Sequence, residues 1–214
     1  MTTALVDNSR SDDASTTPAD RELLELADGL NIHERLIDIA KVITDLGAFP
    51  SVATLVVAVS LLLAARRNWV ELATFVLGSV AIYASVQLTK SGIDRPRPSG
   101  PLVDTRGASF PSGHAAYSTV WAAAAVVVAR VVPGVASRTA LVGGALVLAA
   151  AIGLSRMYLR VHYWSDVAGG WGLGAGVFGA CAVIALIVSF VRHNDGDPDA
   201  DRPDVDQANA ESPR

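Results

Sequence analysis

The nine residues from Lys90 to Pro98 (KSGIDRPRP) place a lysine and an arginine seven positions apart, with Pro96 and Pro98 flanking the arginine. The prolines stop a helix from continuing and stiffen the turn, so the Arg97 guanidinium is held in a fixed orientation. Arginine offers a planar fork matched to phosphate oxygens, and lysine adds a compact charge. The pair therefore suits an oxyanion. The competing reading is two cations snorkelling to lipid headgroups. It is less attractive because Lys90 is one of only two lysines in the chain.

Two further fragments extend this chemistry. In Pro111 to His114 (PSGH), Ser112 and Gly113 precede a long apolar run. A helix starting there offers unsatisfied N–H groups and a dipole that favours an anion. Glycine permits close approach, serine adds a hydroxyl, and His114 in the first turn is placed to give a proton to a departing oxygen. In Ser155 to Asp166 (SRMYLRVHYWSD), Arg156 ends an apolar segment, His162 lies in a short connection, and Asp166 follows four residues later. A carboxylate accepting one ring N–H fixes the tautomer and leaves the other nitrogen free to attack, so His162 reads as a nucleophile and Asp166 as its support. Asp166 also fits a helix N-cap, and Tyr158, Tyr163 and Trp164 read as aromatics of the membrane interface. Lys90, Arg97, Arg156 and the Ser112-Gly113 turn would surround a tetrahedral anion, with the two histidines on opposite sides. That layout suits in-line displacement at phosphorus, stabilised by fixed cations and backbone donors. No Asp/Glu/His grouping of metal-ligand spacing accompanies it, and neither metal nor cofactor is expected.

The elements that must position these residues are transmembrane. Of 214 residues, 51% are hydrophobic and 18% charged, and the mean hydropathy is +0.38. These values exceed those of an ordinary soluble domain and predict an all-α, polytopic membrane bundle. The net charge of −4 comes mainly from polar tails and argues against a nucleic-acid partner. The lone Cys181 reads as a packing residue, and residues 1–30 lack the basic and apolar regions of a secretory signal. Residues 1–20 and 193–214 read as disordered tails. Residues 31–47 place Leu36, Ile39, Ile43 and Leu46 at helical spacing, open on an Asn31/Glu34 capping box and end at Gly47. With Asp38, Lys41 and Asp45 opposite, this amphipathic helix is expected to lie along the interface.

Five apolar segments, about 48–65, 69–89, 113–132, 139–155 and 167–191, approach spanning length. They make up a domain over 48–191. In the last, Gly170 with Gly174 and Gly172 with Gly176 either admit a neighbouring helix closely or reflect composition alone. Two crossings separate the connection after the second span from that after the fourth, so all three fragments emerge on one face. The other face receives Arg66, Arg67, Arg130, Arg138 and Arg192. With the anion-binding cations set aside, the motif face keeps Arg95, Arg106 and Arg160, which places it outside the cytoplasm.

With these spacings the chain resembles the type 2 phosphatidic acid phosphatase superfamily, which includes vanadium haloperoxidases and glucose-6-phosphatase. The family's signatures are Lys, six residues, Arg-Pro; then Pro-Ser-Gly-His; then Ser-Arg, five residues, His, three residues, Asp. Here they stand as Lys90 with Arg97-Pro98, Pro111-Ser112-Gly113-His114, and Ser155-Arg156 with His162 and Asp166. The resemblance covers about 48–191. It implies that His162 forms a phosphohistidine, Asp166 orients it and His114 protonates the leaving group. It implies that Lys90, Arg97, Ser112, Gly113 and Arg156 hold the phosphate. It further implies metal-independent dephosphorylation of a lipid, with prenyl diphosphate, phosphatidylglycerophosphate and phosphatidate all open. Family members commonly have six spans with both termini in the cytoplasm; five are read here, which leaves the N-terminal tail on the motif face. The alternatives are a non-catalytic lipid-binding or transport protein and, more remotely, a haloperoxidase. Arg106 reads as a solvated loop arginine rather than a contact for a second phosphate.

Overall fold

The computed structural model describes residues 17–29 and 34–194. The expectations for residues 1–16 and 195–214 of the two tails, and for Asn31 of the capping box, lie outside them. Seven helices follow in order: α1 (Pro18–Gly29), α2 (Glu34–Asp45), α3 (Phe49–Ala65), α4 (Trp69–Gly92), α5 (Gly113–Ala129), α6 (Val135–Tyr158) and α7 (Trp164–Asn194). No strand occurs among the described residues.

Helices α3 to α7 coincide with the five apolar segments. By length and composition α4, α6 and α7 each suffice to cross a membrane, and α2 with α3, bent by 43°, passes as a fourth span. The apolar α5 has only 17 residues, or about 26 Å of helix against roughly 30 Å of hydrocarbon. Its position explains how so short a helix is accommodated, because α5 touches α3, α4, α6 and α7 and is the hub of the bundle. The sequence GHAAYSTVWAAAAVVVA buries Ala115, Ala116, Ser118, Ala124, Ala125 and Ala129, and side chains this small let four neighbours approach its backbone. Around it Val59, Leu63, Phe75, Ile82, Val86 and Val120 form the main apolar cluster. Outward-facing residues such as Leu61, Leu77, Leu146 and Ile187 are more than half exposed. An apolar exterior of this kind matches a hydrocarbon solvent.

The glycines of α7 divide by face. A Cβ at Gly170 would meet the Ser112 carbonyl oxygen at 2.5 Å, and one at Gly174 would collide with Thr119, whereas Gly172 and Gly176 have nothing within 4 Å. Only the first pair faces α5.

Helix α2 packs against α6 through Ile37 and Ala40 and buries Thr44. Leu36, Ile39, Val42 and Leu46 remain exposed. The smaller Ala40 and Thr44 permit close contact with α6, and the larger apolar groups turn outward, away from the bundle. Helix α1 differs more from expectation, because Pro18, Ala19 and Asp20 belong by composition to the polar tail yet form its first turn. Thr17 Oγ1 accepts the Asp20 N–H at 3.2 Å, and Thr17 N–H donates to Asp20 Oδ2 at 2.9 Å. With Pro18 at the first helical position, this is a reciprocal capping box.

Candidate active site

The three signature fragments meet at one end of the bundle around a cavity of about 760 Å³, lined by Lys90, Arg97, Gly113, His114, Arg156 and His162 together with Lys41, Thr44 and Tyr117. Lys90 sits in the last turn of α4 and Arg156 in the last turn of α6. Gly113 and His114 begin α5, and His162 occupies the five-residue connection between α6 and α7.

Arg97 is anchored on both sides. Its Nε donates to the Gly107 carbonyl at 3.0 Å, Nη2 to the carbonyls of Arg106 (3.1 Å) and Ala108 (3.4 Å), and Nη1 to the Val161 carbonyl at 2.8 Å. Nη1 also lies 3.3 Å from His162 Nε2. Lys90 Nζ donates to the same Ala108 carbonyl at 2.6 Å, so the 106–108 segment bridges both cations. Arg156 is buried and donates from Nη1 to Thr44 Oγ1 at 3.1 Å. Helix α2 thus holds the third cation, a contact that spacing within the signatures does not announce.

His162 is 3% exposed. Its Nδ1 is 3.4 Å from Asp166 Oδ2, close enough to pair but oblique to a hydrogen bond. Nε2 faces the cavity beside Arg97. Burial pushes the imidazole down to about 4; the adjacent Asp166 opposes this, while Arg97 and Arg156 add to it. Its resting form near neutral pH is therefore uncharged, with a lone pair available.

Asp166 lies behind His162, fully buried, and does not line the cavity. Its Oδ2 accepts the Tyr163 N–H at 2.9 Å and its Oδ1 receives Arg95 Nη1 at 2.7 Å. Ser112 likewise stands outside the cavity lining. Its Oγ accepts the Ala115 N–H at 3.4 Å as the cap of α5, and its N–H donates to the Asp166 carbonyl at 2.9 Å. The serine joins the starts of α5 and α7, leaving Gly113 and His114 at the opening.

Spacing alone missed Arg95, Asp20 and Ser165. By spacing Arg95 reads only as a motif-face charge, but its Nη2 meets Asp20 Oδ2 at 3.0 Å and its guanidinium stacks 4.4 Å from the centre of the Tyr163 ring. Tyr163 is 2% exposed, buried beneath Arg95 rather than at the interface. Asp20 also accepts from Ser165 N–H at 3.2 Å and lies 3.1 Å from Ser165 Oγ. Burial would raise the Asp20 carboxyl, but hydrogen bonds from the Thr17 and Ser165 backbones, with Arg95, outweigh it and hold it below the ordinary carboxylate range. The readable signal for this element was Thr17-Pro18-Ala19-Asp20. Among the described residues, no three His, Cys, Asp or Glu side chains form a group suited to a metal ion.

A helical membrane bundle whose signature residues converge on one cationic cavity defines a class, and the PAP2 superfamily model matches residues 68–188. The chain belongs to the PAP2 superfamily. Phosphatidylglycerophosphatase B of Bacillus subtilis (strain 168) is 34% identical over 141 residues, covering 64% of this chain and 68% of the relative. The crystal structure of the transmembrane PAP2-type phosphatidylglycerolphosphate phosphatase from Bacillus subtilis superposes with a TM-score of 0.71 at 29% identity, covering 78% of this chain and 84% of that one. Aquifex aeolicus LpxE shares the fold, with a TM-score of 0.59 at 23% identity over 78% of this chain and 93% of its own.

Proposed function

We propose that this chain is a membrane lipid phosphatase that cleaves a phosphate monoester or diphosphate through a phosphohistidine at His162. The observation that carries the reading is the two-sided setting of His162, with Nε2 open to the cavity beside Arg97 and Nδ1 backed by Asp166. Nε2 attacks phosphorus as the P–O bond to the leaving group breaks, and His114 gives that oxygen its proton. Water then gives a proton back to His114 as its oxygen attacks phosphorus and the P–N bond breaks, returning phosphate and free imidazole. Lys90, Arg97, Arg156 and the start of α5 stabilise the equatorial oxygens. Ser112 contributes by fixing that helix start.

Among lipids, phosphatidylglycerophosphate is favoured, because the Bacillus relatives are named for it. Phosphate release from a panel of that lipid, phosphatidate and prenyl diphosphate, with and without chelator, tests the reading. Turnover in chelator and inhibition by vanadate are expected, while silence across the panel overturns it.

The site is proposed to face away from the cytoplasm. Support comes from Arg66, Arg67, Arg130 and Arg138 at the opposite end, while Arg95 on the motif side is committed to two carboxylates. A Ser99→Cys variant, at an exposed position, should react with an impermeant maleimide in intact cells; labelling only after lysis overturns this orientation.

A further inference from the structure

Behind the proposed nucleophile lies a buried chain of charge that reaches from α7 to the N-terminal helix. Arg95 Nη1 donates to Asp166 Oδ1 at 2.7 Å, and Arg95 Nη2 donates to Asp20 Oδ2 at 3.0 Å. Both carboxylate side chains are fully buried and Arg95 is 11% exposed. Ser165 closes the circuit, since its Oγ accepts from Arg95 Nη1 at 2.7 Å and stands 3.1 Å from Asp20. The arrangement fixes the orientation of Asp166, because Arg95 holds one oxygen and the Tyr163 N–H the other, leaving the second oxygen turned to His162.

The charge count shows why Asp20 matters. With Asp166 alone, Arg95 would form a neutral pair, and a neutral pair does little for an imidazole that becomes cationic on phosphorylation. Asp20 makes the trio net negative. It restores to Asp166 the field that Arg95 would otherwise cancel, and in a buried site that field is weakly screened.

We propose that Arg95 and Asp20 are positioning residues of the phosphoryl-transfer site, Arg95 orienting Asp166 and Asp20, supplied by α1, balancing the charge of Arg95 so that Asp166 supports His162. The proposal rests on the phosphatase reading above. It extends the reactive centre beyond the three signatures to a helix distant in sequence. Neither residue touches the cavity, so neither contacts the phosphate.

The test separates this role from simple stabilisation. In the Asp20→Asn variant kcat should fall about tenfold or more, the usual scale for a lost supporting partner, while KM and vanadate affinity stay within about twofold because the cavity cations are unchanged. Arg95→Lys should recover part of the activity lost in Arg95→Gln. The two sites should be non-additive, the double variant Asp20→Asn/Arg95→Gln being no slower than Arg95→Gln alone.

A substrate-free measurement accompanies these. In histidine-labelled protein, with His162 assigned by His162→Asn, the His162 titration should move down in Asp20→Asn and up in Arg95→Gln. The other charges around the ring, Lys90 from α4, His114 from α5, Arg97 from the loop and Arg156 from α6, are the same in every variant. Shifts of opposite sign follow from charge balance and not from loosened packing. Unchanged kcat in Asp20→Asn, additive losses, or titration shifts of the same sign would overturn the proposal. If the unsubstituted protein releases no phosphate from any lipid, the phosphatase reading fails, and the titration still decides the coupling.

Discussion

Arg97 Nη1 lies 3.3 Å from His162 Nε2 while donating to the Val161 carbonyl, so the proposed nucleophile and a proposed phosphate-binding cation share one edge of the cavity. The guanidinium's other donors go to the carbonyls of Arg106, Gly107 and Ala108. A phosphate seated against His162 must take over some of these bonds, and the exchange works because carbonyl and phosphate oxygens accept from the same planar fork.

Arg97→Lys should therefore lower kcat/KM by about 100-fold, on the scale of losing one fixed donor to a developing oxyanion. Lysine keeps the charge but cannot hold Val161 and the 106–108 segment together while facing Nε2. Phosphate release measured against substrate concentration checks this, and a loss below about threefold would assign Arg97 a role in bulk charge alone.

His162→Asn should reduce phosphate release to background and leave no acid-labile phosphoenzyme in rapid-quench experiments. The same variant carries a stability signature. Burial lowers the folded imidazole to about 4 against about 6.5 in an unfolded chain. Between those values the unfolded chain binds a proton that the folded one does not. The stabilisation is complete above about pH 6.5 and is lost as pH falls through about 4. Thermal unfolding in detergent should decline over this window in the unsubstituted protein and decline less steeply in His162→Asn; identical slopes would place the imidazole in a wetter setting.

The parts of this architecture legible in the sequence are those written in local spacing. Lys90 and Arg97, His114, and Arg156 with His162 are fixed by chain distance to span ends, and the crossing parity puts those ends together; all of them line one cavity. Residues whose partners are remote in sequence gave no such signal. Thr44 meets Arg156 across 112 positions, and Arg95 meets Asp20 across 75. In composition Asp20 is one acidic residue of a polar stretch; the Thr17-Pro18-Ala19-Asp20 box can mark a helix start, but only tertiary contact shows that Asp20 meets Arg95. Ser112 was readable as a helix start but not as the link to the Asp166 carbonyl, because that bond depends on how closely α5 and α7 approach.

Thr44→Val tests one of those remote contacts. The substitution preserves shape and removes the hydroxyl that accepts from buried Arg156, leaving a guanidinium N–H without its partner. A loss of about 1–3 kcal/mol in stability is expected, together with a several-fold higher KM as Arg156 shifts within the cavity. Thr44→Ser should retain most of both. Equal behaviour of the valine and serine variants would show that Arg156 is held by its burial alone.

The glycines of α7 give a prediction with an internal control. At Gly170 an added Cβ would sit 2.5 Å from the Ser112 carbonyl oxygen and 3.0 Å from both the Ala115 Cβ and the Ala116 nitrogen. These are backbone or helix-bound atoms that cannot swing aside, so Gly170→Ala must push the first turn of α5 away from α7. That movement strains the bond from Ser112 N–H to the Asp166 carbonyl and shifts His114 relative to His162. A loss of about 1–3 kcal/mol is expected from overpacking, with kcat reduced more than KM because the displaced groups are those proposed to act on phosphorus. Gly172→Ala, two positions along the same helix, meets nothing within 4 Å and should be neutral or gain up to about 1 kcal/mol from helix propensity. Unfolding midpoints and steady-state rates for the two variants decide the matter. If both are neutral, α5 and α7 are not in close contact at the site.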